Sequence, residues 1–246
     1  MDFFPFILIA VVTVAASFIQ SVTGFGFGIF AMIFLPHILI YTEANVLSTV
    51  LSAATSVTVA VALFRKINWK NIIFPILGFF PGAYASVAFV GTQKSELLTL
   101  LLGIALLSLS VFFFFFSSKI KIKPSWYTGL FTGALSGVMG GLFSISGPPA
   151  VIYFIQTEDD SERYLATLSA YFIFADSISI ATKAAAGFVT KNVWIGILFG
   201  AVGMVAGSIV GKKTRDKIKP QTIKKAVYAV MAFSGIVNII SSILSF

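Results

Sequence analysis

Gln20-Ser21-Val22-Thr23-Gly24-Phe25-Gly26-Phe27-Gly28 and Ser136-Gly137-Val138-Met139-Gly140-Gly141-Leu142-Phe143-Ser144-Ile145-Ser146-Gly147-Pro148-Pro149 interrupt two otherwise apolar stretches of this chain. The stretches run over 3–40 and 125–156. Each is longer than the ~20 residues that cross a bilayer. Unwound backbone at membrane depth is tolerated only against protein or a watery cavity, because lipid offers N–H and C=O groups no partner. A pair of such breaks, one per half, is the pattern of a carrier whose substrate site lies between the halves. The chain therefore reads as a membrane carrier.

Composition agrees. Hydrophobic residues make up 58% of the 246 and charged residues 11%, against about 25% charged in soluble domains. Apolar segments fall near 3–40, 45–64, 71–91, 97–117, 125–156, 164–188, 192–211 and 226–246. The expectation is an all-α polytopic membrane protein with eight hydrophobic segments, a multi-pass protein of the cell membrane. The short loops leave no room for a soluble catalytic domain. Met1-Asp2-Phe3-Phe4 lacks the basic stretch of a cleavable signal peptide, so the first segment is expected to be retained. There is no cysteine, which excludes disulfides, thiol redox chemistry and thiolate metal sites. The single His37 makes a poor metal site and reads as an interfacial histidine. No cofactor or metal is implied. The net charge of +8 lies in short loops beside apolar segments. That is the positive-inside pattern and not a nucleic-acid surface.

The halves, 1–123 and 124–246, resemble each other. Ser21-x-x-Gly24 matches Gly137-x-x-Gly140 at an offset of 116, and Glu43 and Ser48 match Glu162 and Thr167 at 119. Lys66, Trp69, Phe74, Gly78, Gly82 and Ser86 match Lys191, Trp194, Phe199, Gly203, Gly207 and Gly211 at 125. This predicts two four-segment repeats, the first segment of each broken at a glycine-rich stretch.

Charge constrains the topology. Arg65, Lys66 and Lys70 mark one cytoplasmic loop, and Lys119, Lys121 and Lys123 a second. Lys212, Lys213, Arg215, Lys217, Lys219, Lys224 and Lys225 mark a third. Three segments separate the second cluster from the third, so one of them makes no net crossing. The segment 125–156 fits, as a full helix plus a shorter return piece. The same geometry at 3–40 leaves three net crossings per half and an inverted repeat. A parallel repeat of four crossings is the alternative, and it places seven bases outside.

Chemistry concentrates at the breaks. Gly24, Gly26, Gly28, Gly140 and Gly147 expose backbone N–H groups, and helix N-termini add partial positive charge, which suits an anion. Gln20, Ser21, Thr23, Ser144 and Ser146 add donors. Phe25-Gly26-Phe27-Gly28 follows no strand, so it is not a nucleotide-binding loop. Gly78, Gly82, Gly203 and Gly207 read as close helix packing, and Ser48, Ser52, Thr55 and Ser56 as interhelical glue. Phe112 to Phe116 implies no chemistry. Arg163 is placed to gather anions at the cytoplasmic mouth or to pair with Glu162 or Asp160. Asp176 lies about 18 Å along a helix from either end of its segment. An intramembrane carboxylate marks a pathway or a proton relay, so Asp176 is the candidate proton-coupling residue. Its alternatives are a structural hydrogen bond or a pair with Lys183, which can instead snorkel to the interface.

On Thr23-Gly24-Phe25-Gly26-Phe27-Gly28 followed by Pro36, on Ser146-Gly147-Pro148-Pro149, on Arg163 opening the next helix and on the repeated Trp-then-Gly-x-x-x-Gly segments, the chain resembles the TauE/SafE family of sulfite and organosulfonate exporters. The resemblance covers essentially the whole chain. It implies a secondary permease for small sulfur-containing or carboxylic anions, with ion coupling. Its expected partners are the anion, the bilayer and a second copy of the chain. A passive anion channel is the alternative. An intramembrane enzyme is less favoured, because no nucleophile–base pair can be assembled from these residues.

Overall fold

The computed structural model describes residues 4–115, 122–215, 217 and 220–245. Phe116, Lys119, Lys121 and Lys219 lie outside them. The described residues form helices and no strand: α1 Phe4–Thr23, α2 Phe27–Phe34, α3 Tyr41–Ala62, α4 Trp69–Val90, α5 Ser95–Phe115, α6 Trp126–Phe143, α7 Gly147–Thr157, α8 Ser161–Ala185, α9 Lys191–Thr214 and α10 Pro220–Ser245. A 3-10 turn, Leu35–His37, follows α2.

Seven helices are long and apolar enough to cross a membrane: α1, α3, α4, α5, α8, α9 and Lys225–Leu244 of α10. Among the described residues α6 does not join them. Gly129, Gly133, Gly137, Gly140 and Gly141 dilute its 18 residues. With 8 and 11 residues, α2 and α7 reach only about 12 and 17 Å. Large side chains such as Leu77, Phe131, Leu198, Val202 and Phe233 are exposed along the helices, and Trp69, Trp126 and Trp194 at helix starts. These are the lipid-facing surface and the interfacial aromatics of a membrane protein.

Glycine contacts fix the directions of the helices. Gly203, Gly207 and Gly211 of α9 face Ala10, Val14 and Phe18 of α1 in ascending order, and Gly196 and Gly200 meet Leu47 and Leu51 of α3. So α1, α3 and α9 run one way. Because α1 and α3 are parallel, residues 24–40 carry the chain back across the molecule. Likewise Gly78 and Gly82 of α4 meet Leu130 and Ala134 of α6. Alongside α4 runs α8, joined at its start by Lys66–Glu162 at 3.3 Å and by Asn68 N–H to Thr167 Oγ1 at 3.0 Å. Residues 144–160 therefore make the second return. The end of α3 lies by the start of α8, so these two helices are antiparallel.

Two packing pairs recur with the halves exchanged, α4 against α6 as α9 against α1, and α3 against α9 as α8 against α4, while α5 packs on α10 and α3 on α8 once each. A Cβ on Gly78 would stand 2.1 Å from Leu130 O, and one on Gly203 2.1 Å from Ala10 O. Gly82 with Ala134 and Gly207 with Val14 repeat this one turn further on. These contacts keep the offset of 125 for α4 and α9. They require 120, not 116, for α1 and α6. Gly24 thus corresponds to Ser144, and the match of Gly24 to Gly140 is one helical turn out of register. The reason is periodic: small residues recur every fourth position along α6, so a shift of four still pairs small with small.

Candidate functional site

Both breaks are three residues long. In the first, Gly24 and Gly26 take φ of +84° and +106°, and in the second Ser144 takes φ of +57°. Left-handed backbone ends α1 and α6 and redirects the chain into α2 and α7. The two breaks meet. A Cβ on Gly28 would stand 1.8 Å from Ser144 O, and one on Gly147 3.2 Å from the Phe25 ring. Only glycine lets these backbones approach so closely.

Between the breaks is a space of about 10 Å³, walled by Gln20, Gly26, Gly28, Ser52, Ser144 and Ser146, with Phe25, Phe27, Ile29, Ile145, Gly147 and Phe172 completing it. That is room for about one water molecule. The first turns of α2 and α7 both border it, so two helix N-termini direct their free N–H groups and partial positive charge at one point. Pro148 and Pro149 withhold two N–H groups from α7.

At the end of α6 the Gly140 carbonyl accepts from the Ser144 N–H at 3.0 Å, while Leu142 O lies beyond the helical ladder. Three side chains supply donors. Lys183 donates to Gly140 O at 3.1 Å, Asn45 to Leu142 O at 2.8 Å and Tyr41 to Leu142 O at 2.7 Å. Lys183 Nζ also donates to Thr49 Oγ1 at 2.5 Å, and Thr49 Oγ1 lies 2.7 Å from Ser144 Oγ. The fully buried Lys183 is thereby linked to the cavity wall through two hydroxyls, Thr49 and Ser144. Neither expectation for Lys183 holds. It is not at the interface, and among the described residues the ion pairs are Lys66–Glu162 and Arg163–Glu158, so it is not paired with Asp176. The Gly140 carbonyl of α6 and the Thr49 hydroxyl hold it instead.

Asp176 is buried, and its Oδ2 has no hydrogen-bond partner among the described residues. Ser52 stands beside the carboxyl group. Ser52 Oγ reaches Gln20 Oε1 at 3.4 Å, and Gln20 Nε2 donates to Ser56 Oγ at 2.7 Å. The two buried charged residues of α8, Asp176 and Lys183, are therefore linked toward the cavity through hydroxyls of α3.

Of the residues singled out from the sequence, Gln20, Gly26, Gly28, Ser144, Ser146 and Gly147 line the space. Gly140 contributes its carbonyl to Lys183. Gly24 lies under Leu165 of α8, and Thr23 Oγ1 donates within its own turn, to Ile19 O and Phe25 O. Two residues stand apart. Ser21 does not line this space and instead contributes to the wall of a separate cavity. The Arg163 side chain is exposed and pairs with Glu158 at 3.0 Å, not with Glu162 or Asp160, although its N–H caps onto Asp160. Sequence reasoning missed Asn45, Thr49 and Phe172, and it read Ser52 and Ser56 as glue. A polar side chain every third or fourth residue from Asn45 to Ser56 was the available signal.

Among known proteins, the probable sulfite/organosulfonate exporter TauE of Cupriavidus necator is 22% identical over 227 residues, covering 90% of this chain and 88% of its own length. No solved structure matches. The sequence model described as sulfite exporter TauE/SafE matches residues 8–237. A multi-pass helical chain with paired breaks and this match belongs to the sulfite exporter TauE/SafE family, whose members are membrane transporters and not enzymes.

Proposed function

We propose that the protein is a secondary transporter of small anions of the sulfite or organosulfonate class, working by alternating access around its two breaks. The observation that carries this reading is that the first turns of α2 and α7 border one cavity, which Lys183 reaches through the hydroxyls of Thr49 and Ser144. Backbone N–H groups, hydroxyls and a buried cation suit an oxyanion. The related protein from C. necator is named for sulfite and organosulfonates, and that chemistry is the one this donor set fits. A space for one water cannot hold a sulfite ion, so the halves separate to admit it. An occluded site between two halves favours a carrier over a continuous pore.

The antiparallel course of α3 and α8, with the chain returning after each break, supports an inverted repeat of three net crossings per half. In this reading Asp176 is the coupling group. It is a lone carboxyl group, joined to the site by Ser52 and Gln20, that changes charge as access alternates.

Counterflow in proteoliposomes tests the reading. Vesicles loaded with unlabelled sulfite are expected to accumulate labelled sulfite transiently. Lys183→Met is expected to weaken the apparent affinity about tenfold or more, the worth of a hydrogen bond to a charged group. Equilibration without counterflow makes the protein a passive channel. No flux of sulfite, sulfonates or small carboxylates overturns the proposal.

A further inference from the structure

Gly147 opens α7, and the two prolines after it have no N–H. It therefore carries the one backbone donor among the first three residues of that helix. The Phe25 side chain lies on it. A Cβ at Gly147 would stand 3.2 Å from the ring and 3.4 Å from Phe25 Cβ. The ring is buried, with Phe113 of α5 at 6.0 Å between centroids. Phe113 in turn stacks on Tyr228 of α10 at 5.2 Å, 9° from parallel.

A further small space lies against α10. It measures about 10 Å³ and is walled by Ile19, Thr23, Phe25, Gly26, Val227 and Tyr228. Phe25 and Gly26 also wall the central space, so they form the partition between the two. The two sides differ in chemistry. The central side has hydroxyls, the Gln20 amide and two helix N-termini. Apart from the Thr23 and Tyr228 hydroxyls, the α10 side is hydrocarbon and aromatic.

The other walls of the central space have less freedom. Gly28 is packed on the Ser144 backbone, and Ser144 is joined through Thr49 to Lys183. Gln20 is held by Ser56 at 2.7 Å. A larger occupant therefore gains room by turning the Phe25 ring toward α10, a motion that also uncovers the Gly147 N–H.

We infer that Phe25 is a specificity-determining residue: an organosulfonate sets its oxyanion head at the breaks and its carbon chain past Phe25, in the space against α10. This rests on the transport reading. A short alkyl chain suits that lining, since its burial removes apolar surface from water and leaves no polar group without a partner. Sulfite has no chain and does not use the space.

Equilibrium binding tests the assignment without transport. The protein in phosphatidylcholine nanodiscs is titrated calorimetrically with sulfite, methanesulfonate and butanesulfonate. Phe25→Ala is expected to raise affinity for butanesulfonate relative to methanesulfonate about tenfold, and Phe25→Trp to lower it. Phe25→Leu, closer to the native volume, is expected to shift the ratio as Ala does but less, and it serves if the Ala variant does not fold. A purely structural Phe25 would weaken all three anions alike, so an unchanged ratio overturns the inference. Shifted ratios in a protein without counterflow would count against the transport reading alone. Wild-type protein that binds none of the three overturns both.

Discussion

Asp176 and Lys183 lie seven residues apart on α8, about 10 Å of rise, on nearly the same face. Each approaches the central space through a different hydroxyl of α3, Ser52 or Thr49. Their roles differ accordingly. Lys183 is tied to the backbone of α6 and brings positive charge to the site. Asp176 has an unpartnered carboxyl oxygen and so is the group free to exchange a proton. Asp176→Asn keeps shape and hydrogen bonding but cannot titrate. The expected outcome is sulfite counterflow near the wild-type rate with accumulation against a gradient abolished and its pH dependence gone. Wild-type accumulation with an unchanged pH profile would make Asp176 structural, leaving the membrane potential to act on the anion itself.

Helices α1 with α9 and α4 with α6 are packed backbone to backbone. Lipid gives no hydrophobic force to bring helices together, so close contact between small residues does it. Thr13 Oγ1 adds a hydrogen bond to Gly200 O at 3.0 Å, and Ser86 Oγ one to Gly137 O at 3.3 Å. Each pair holds a full-length helix beside a break and so sets where the break sits. A Cβ at Gly207 would stand 2.1 Å from Val14 O and 2.2 Å from Ser17 Oγ. Gly207→Val is expected to destabilise the protein by about 1–3 kcal/mol through forced separation of α1 and α9. Thermal melting in detergent, followed by size-exclusion, measures this. Val at Trp194, exposed on the same helix, is the control expected to leave the melting temperature nearly unchanged.

At the scale of the molecule, sidedness joins the parts. Leu63 at the end of α3 and Lys212 and Arg215 at the end of α9 wall one cavity, while Lys66 pairs with Glu162 at the start of α8. The loop 157–163 is therefore at the same end as the largest basic cluster, despite its acidic residues, which weigh little in orientation. A cysteine replacing the exposed Ser161 is expected to react with an impermeant thiol reagent only after cells are opened. Labelling from outside intact cells would reverse the orientation assigned to the basic end.

The sequence by itself determined that the chain is a membrane protein and where its backbone unwinds. Each of these is written in properties that do not depend on packing. Hydropathy sets the spans, and glycine at positive φ and proline without an N–H set the breaks. Only the tertiary structure decided the register of α1 on α9 and of α4 on α6. It also decided the partners of Lys183 and the placing of Ser21 outside the space that Gln20 lines. A helix exposes every side of itself within one turn, and which side meets which neighbour is chosen by contacts with helices more than 100 residues away, such as α8 with α3. Thr49 and Asn45 looked like two more polar residues in an apolar helix until the ends of α6 and α8 were brought against them.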